Sequence, residues 1–186
     1  DSVAEFTYKE VDVPAGYFCC KVQVKGLKGG HSGGDIHLGL GNANKLLNRF
    51  LSQTFKKYDM YLCEIDGGNL RNAIPREAFA VFGVPAEMAG DVCERCRAFA
   101  VEIVEEFKYT EPNLQMTLNK IGGVEWVLDP VTMQSLVGAL VGLPNGVLAM
   151  SHAVEGLVET SSNLASVKFG AEGIVVTTSQ RSSVES

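Results

Sequence analysis

Apolar and polar positions alternate through much of the first two thirds of the chain. The runs "FTYKEVDV" and "FCCKVQVKGL" are rich in β-branched and aromatic residues and partly alternate, which predicts two strands. From about Ile36 to Tyr58 the period changes. Leu38, Leu40, Ala43, Leu46, Leu47, Phe50 and Leu51 recur at helical spacing, predicting a long helix with Asp35 as its N-cap. "MYLCEI", ended by the turn signal "DGGN", and "EAFAVFGV" after Pro75 return to strand patterning. A second amphipathic helix is predicted over about Ala89 to Phe107, and "LQMTLNKI" closes the unit as a strand. Strand, helix, strand, strand, helix, strand is the split βαβ order, an antiparallel sheet covered on one face by two helices. It is assigned to residues 1–122.

Residues 123–186 form a second, smaller portion. "DPVTMQSLVGALVGL" predicts a helix in which Asp129 caps and Pro130 sits in the first turn. Three strand-like runs follow, "GVLAMSH", "GLVETSSNLASVKFG" and "GIVVTTSQRSS". They fit either another partial layer or an extension of the first sheet. The expected fold class is α+β: a split βαβ, ferredoxin-like antiparallel sheet extended by a smaller α+β portion.

Composition narrows the partners. With 186 residues and 46% hydrophobic content the chain can build a core. Sixteen basic residues against 22 acidic ones, a net charge of −6, leave no surplus to neutralise phosphates, so nucleic acid is not expected. No apolar run reaches the roughly 20 residues of a membrane span, and "DSVAEFTYKE" lacks the pattern of a signal peptide. A start at Asp1-Ser2 reads as a piece of something longer. Five cysteines without disulfide-scaffold spacing suit a reducing cytoplasm. Cys93 and Cys96 form a CxxC, but it falls in a helical pattern without a second ligand pair and reads as ordinary helix residues.

Candidate chemistry is sparse. His31, His37 and His152 are scattered, with no acidic partners at metal-site spacing, so no metal is expected in this chain. Ser32 and Ser151 adjoin histidines, but adjacent residues point apart and neither sits in a nucleophile elbow. What remains is polar clusters: "GGHSGG", "NLRNAIPRE", and "TSSNLASV" with "SQRSSVES". From spacing alone these read equally well as a bend, a turn before Pro75 and a solvated strand end. The glycine pairs flanking His31 are the feature such a reading leaves unexplained, because they carry an entropic cost.

"VKGLKGGHSGGDIHLGLGNANKLLNRFL", "GGNLRNAIPREAFA" and "LPNGVLAMSHAVEGLVETSSN" together closely resemble the lid domain of the aminoacyl-histidine dipeptidases, the Xaa-His dipeptidases of the co-catalytic zinc aminopeptidase and carboxypeptidase clan. The resemblance covers nearly the whole chain. It implies a lid, of the dimerisation type, inserted in a larger cytoplasmic metallo-dipeptidase, and inactive alone. Two zinc or other divalent ions and the glutamate base would belong to a catalytic domain outside this sequence. His31 matches the lid histidine that helps hold the developing oxyanion. Asn72 in "NAIP" matches the asparagine that contacts substrate. Arg181 is the candidate for gripping the carboxylate of a dipeptide, since a guanidinium fork fits it in two hydrogen bonds. Simpler lids place that arginine in the strand after "IP", where "EAFAVFGVP" has none, and Arg71 is the alternative. Asn163 is assigned either to support of the substrate contacts or to strand capping. The implied partners are a dipeptide substrate, the enzyme's own catalytic domain and a second copy in a homodimer. The rival readings are a self-association module and a regulatory small-molecule-binding domain.

Overall fold

The computed structural model describes residues 1–184. In chain order the strands of the first portion are β1 (Ser2–Phe6), β2 (Glu10–Asp12), β3 (Tyr17–Lys25) and β4 (Gly30–His31), followed by helix α1 (Ala43–Thr54). Then come β5 (Tyr61–Gly67), β6 (Ala73–Ile74), β7 (Ala78–Pro85), helix α2 (Ala89–Glu106) and β8 (Gln115–Lys120). The second portion holds β9 (Trp126–Leu128), helix α3 (Pro130–Gly142), β10 (Gly146–Met150), β11 (Val158–Gly170) and β12 (Gly173–Ser182).

The strands β5, β7, β3 and β8 lie side by side in that order, all antiparallel, which is the split βαβ arrangement. The second portion is no separate layer. β11 pairs antiparallel with β5 through Val167 and Gly67, and β12, β1 and β10 follow, making one eight-stranded sheet. Glycine permits the join: a Cβ on Gly67 would come within 2.0 Å of Asn44 Oδ1, and one on Gly68, at φ +71°, within 2.0 Å of the Ala165 carbonyl oxygen.

Alternation decides which face is buried. Cys20, Val22 and Val24 of β3 and Ala80, Phe82 and Val84 of β7 face the helices. There they meet Leu47, Phe50 and Leu51 of α1, Phe99 and Ile103 of α2, and Leu136 and Leu140 of α3. The same core continues under the added strands through Leu164, Val167, Ile174 and Val176. A small cluster of Cys63, Val81 and Val127 occupies the opposite face, beside the short β2–β9 ladder.

Three local expectations change. The helix predicted from Ile36 starts at Ala43, because Gly39 at φ +67° ends a 3-10 turn over Ile36–Leu38 and Asn42 caps α1 by accepting from Lys45 N at 3.2 Å. Asp35 caps no backbone amide of that turn. "FTYKEVDV" divides between two sheets, Phe6 ending β1 and Glu10 opening β2. The chain is held at the crossing by a reciprocal pair: Lys9 N donates to Asp129 Oδ2 and Asp129 N to the Lys9 carbonyl. "GGVEW" leads into β9, which alternation in so short a run did not reveal. Asp129 also caps α3 as expected, accepting from Thr132 N at 3.0 Å.

Candidate functional site

The glycine-flanked loop is a built structure. Gly30 and His31 pair with Ile74 and Ala73 as a two-residue ladder, and Ser32 N donates to the Asn72 carbonyl at 2.9 Å. Asp35 folds the loop back on itself: its Oδ2 accepts from His31 N, and its own N–H donates to the His31 carbonyl, both at 2.8 Å. The glycines after His31 have a specific use. Gly33 N and Gly34 N both donate to His31 Nδ1, at 3.1 and 3.0 Å. A nitrogen that accepts carries no proton, so the neutral ring holds its proton on Nε2. The side chain is exposed, and among the described residues nothing pairs with Nε2.

Arg181 reaches the same loop from β12. A Cβ on Gly33 would lie 2.7 Å from its Nε and 2.9 Å from its Cζ, so the guanidinium rests against the loop backbone and any side chain at Gly33 would displace it. Asn72 sits in the turn before β6, with its carbonyl tied to the loop and its side chain exposed. His31, Asn72 and Arg181 therefore gather at one patch. Arg71 behaves differently: its side chain is 78% exposed and its ion-pair partner is Asp1 at 3.7 Å.

Asn163 lies beneath the patch, fully buried on β11. Its Nδ2 donates to the Ala73 carbonyl at 2.9 Å, the residue paired with His31, and its Oδ1 accepts from Asn42 Nδ2 at 3.3 Å. It joins the added strands to the loop's partner strand and to the cap of α1. Sequence reading missed two members of this network. Asn42 also donates to Asn145 Oδ1 at 2.8 Å and the Leu164 carbonyl at 3.0 Å, while Leu164 N donates to Asn145 Oδ1 at 2.9 Å. Asn42 had a signal in the "GLG" that precedes it; Asn145 had none beyond a turn-forming "PN".

The other candidates lie elsewhere. His37 is exposed on the 3-10 turn, and His152 is exposed in the bend after β10. Ser151 Oγ accepts from Ala153 N and Val154 N, each at 3.2 Å, as a turn residue. Ser32 Oγ is buried and without a partner among the described residues. No three His, Cys, Asp or Glu side chains among the described residues converge on a possible metal position. Burial pushes the Cys96 thiol up to about 11, with Cys93 beside it adding to the shift. No helix among the described residues is long and apolar enough to cross a membrane.

Residues 22–111 match the peptidase dimerisation domain family. The chain is 39% identical over 174 residues to the cytosol non-specific dipeptidase of Escherichia coli (strain K12), covering 94% of this chain and 36% of that protein. The crystal structure of aminoacylhistidine dipeptidase from Vibrio alginolyticus superposes with a TM-score of 0.96 at 37% identity, covering 98% of this chain and 37% of that one. Residues 22–111 carry a peptidase dimerisation domain, and along nearly its whole length the chain is homologous to a dipeptidase. It spans about a third of the length of these relatives.

Proposed function

We propose that this chain is the substrate-facing lid of a cytoplasmic, metal-dependent dipeptidase that hydrolyses Xaa-His and other unblocked dipeptides, and that it is inactive alone. The observation that carries the reading is the double donation from Gly33 and Gly34 into His31 Nδ1. It turns an exposed imidazole into an oriented Nε2–H donor. Such a donor aimed at the peptide carbonyl oxygen stabilises negative charge that grows only in the transition state. Arg181, against Gly33, takes the substrate's terminal carboxylate as a bidentate pair, and the Asn72 amide donates to or accepts from the peptide group. Asn163 keeps the loop and the added strands in register. Among the described residues no set of donors converges on a metal position. Two divalent ions, zinc by family resemblance, would be held by a catalytic domain and would supply Lewis-acid activation of water and carbonyl. The test is steady-state kinetics of the full-length enzyme with His31→Ala beside His37→Ala and His152→Ala. A loss of kcat confined to His31→Ala supports the reading, and equal behaviour of the three ends it.

A second role, homodimer formation, is favoured by the matched domain family and by one edge of the molecule. β8 ends the sheet, and α2 beside it exposes Val101 and Val104. An edge strand and an apolar helix face on one side suit pairing with a second copy. Sedimentation of the full-length enzyme checks it, a strict monomer excluding this role.

A further inference from the structure

One buried carboxylate outside the His31 loop holds both of its ends. Glu111 lies in the turn between α2 and β8 and is 2% exposed. Its Oε2 accepts from Lys28 N at 2.8 Å and its Oε1 from Gly41 N at 2.9 Å. Lys28 and Gly41 bracket the segment that contains His31, the Asp35 closure and the Ile36–Leu38 turn. The base of the loop is seated on the same turn: a Cβ on Gly26, at φ +80°, would come within 2.1 Å of the Asn113 carbonyl oxygen, and one on Gly41 within 3.6 Å of Glu111 Cγ.

Burying a carboxylate is costly, and among the described residues Glu111 has no lysine or arginine side chain as a partner. Its partners are two main-chain N–H groups from opposite ends of one loop. An apolar residue would fill the space but leave both N–H groups orphaned in the interior. A glutamine would satisfy one and set its own NH₂ against the other. The ionised carboxylate is the side chain of this size that accepts from both.

We propose that Glu111 is a positioning residue for His31: by fixing both ends of residues 28–41 it holds the Nε2–H where the substrate oxygen arrives. This rests on the donor role proposed for His31. Displacing a reacting group by a fraction of its contact distance costs rate more than binding.

The test uses Glu111→Gln in the full-length enzyme. It is expected to lower kcat by about tenfold to a hundredfold with little change in KM. Amide hydrogen exchange of residues 29–40 quickens, while exchange within α2 keeps its wild-type rate. Combined with His31→Ala, the same substitution costs no further kcat, because both act on one interaction. Equal losses with and without His31 overturn the proposal, as does unchanged loop exchange. Wild-type kcat in His31→Ala alone ends the donor reading, and the exchange measurement then decides the clamp by itself. Glu111→Asp keeps the charge but shortens the reach, and it gives the same readings where Glu111→Gln does not fold.

Discussion

Phe50 and Phe99 are fully buried where α1 meets α2, their ring centroids 5.7 Å apart, with Arg49 and Arg95 lying over the Phe99 ring. His31 stands in the open, and main-chain hydrogen bonds fix it: its own N–H to Asp35, and those of Gly33 and Gly34 to its ring. The first region is positioned by volume, so any change of size is felt as stability. The second is positioned by direction, so a change there alters where one N–H points while little packing is lost.

The comparison makes unequal predictions. Phe99→Ala should cost about 3–5 kcal/mol of unfolding free energy, read from urea denaturation, while kcat per folded enzyme stays near wild type. A matching loss of kcat would mean the two regions are coupled through α1. His31→Ala should do the reverse, cutting kcat by about a hundredfold to a thousandfold with the urea midpoint unchanged. Arg181→Ala is expected to raise KM for free dipeptides by about tenfold or more, the scale of one charge-assisted pair, and to leave C-terminally amidated substrates nearly unaffected. Arg71→Ala should leave both substrates alone, given its distant pairing with Asp1.

The smallest effect belongs to the cap of α3. Asp129→Ala should cost about 1 kcal/mol in thermal or urea unfolding. The hydrogen bond from Thr132, with a further one from Lys9, holds the Asp129 carboxyl below its ordinary value of 3.8. A depressed folded-state value means that the contribution is complete above the unfolded value and fades as pH falls through the folded one. Wild type should therefore lose its advantage over Asp129→Ala in acid below about pH 4, and an advantage constant down to pH 2 would remove the charge from the explanation.

Much of the sheet was legible because strands buried on one face must alternate, as Cys20, Val22 and Val24 do. The start of α3 was legible because Asp129 and Pro130 stand at the two positions where a helix start uses them. The start of α1 was not. Leu38 and Leu40 keep helical spacing, but Gly39 turns left-handed between them and Ile36 is buried from a separate turn. The β4–β6 ladder is too short for any period to show. Within the site, the glycines marked His31, whereas the contact between Arg181 and Gly33 needs β12 to be added to the sheet first. Glu111 carried no local mark, since its partners are main-chain groups far away in sequence.

The pairing of β1 with β12 joins Ser2 to Thr178, and it has a consequence in time. A chain made from its N-terminus releases β1 long before β12 exists, and closing so wide a separation is slow compared with forming the β11–β12 hairpin. During that wait β1 is an unpaired strand, the kind of segment that captures other chains. Its residues suit the interval only in part: Val3 stays 60% exposed even in the finished sheet and Phe6 goes partly under cover, while Glu5 sets a charge between them. β1 thus has the charge of Glu5 as its guard against capture until β12 arrives to pair with it.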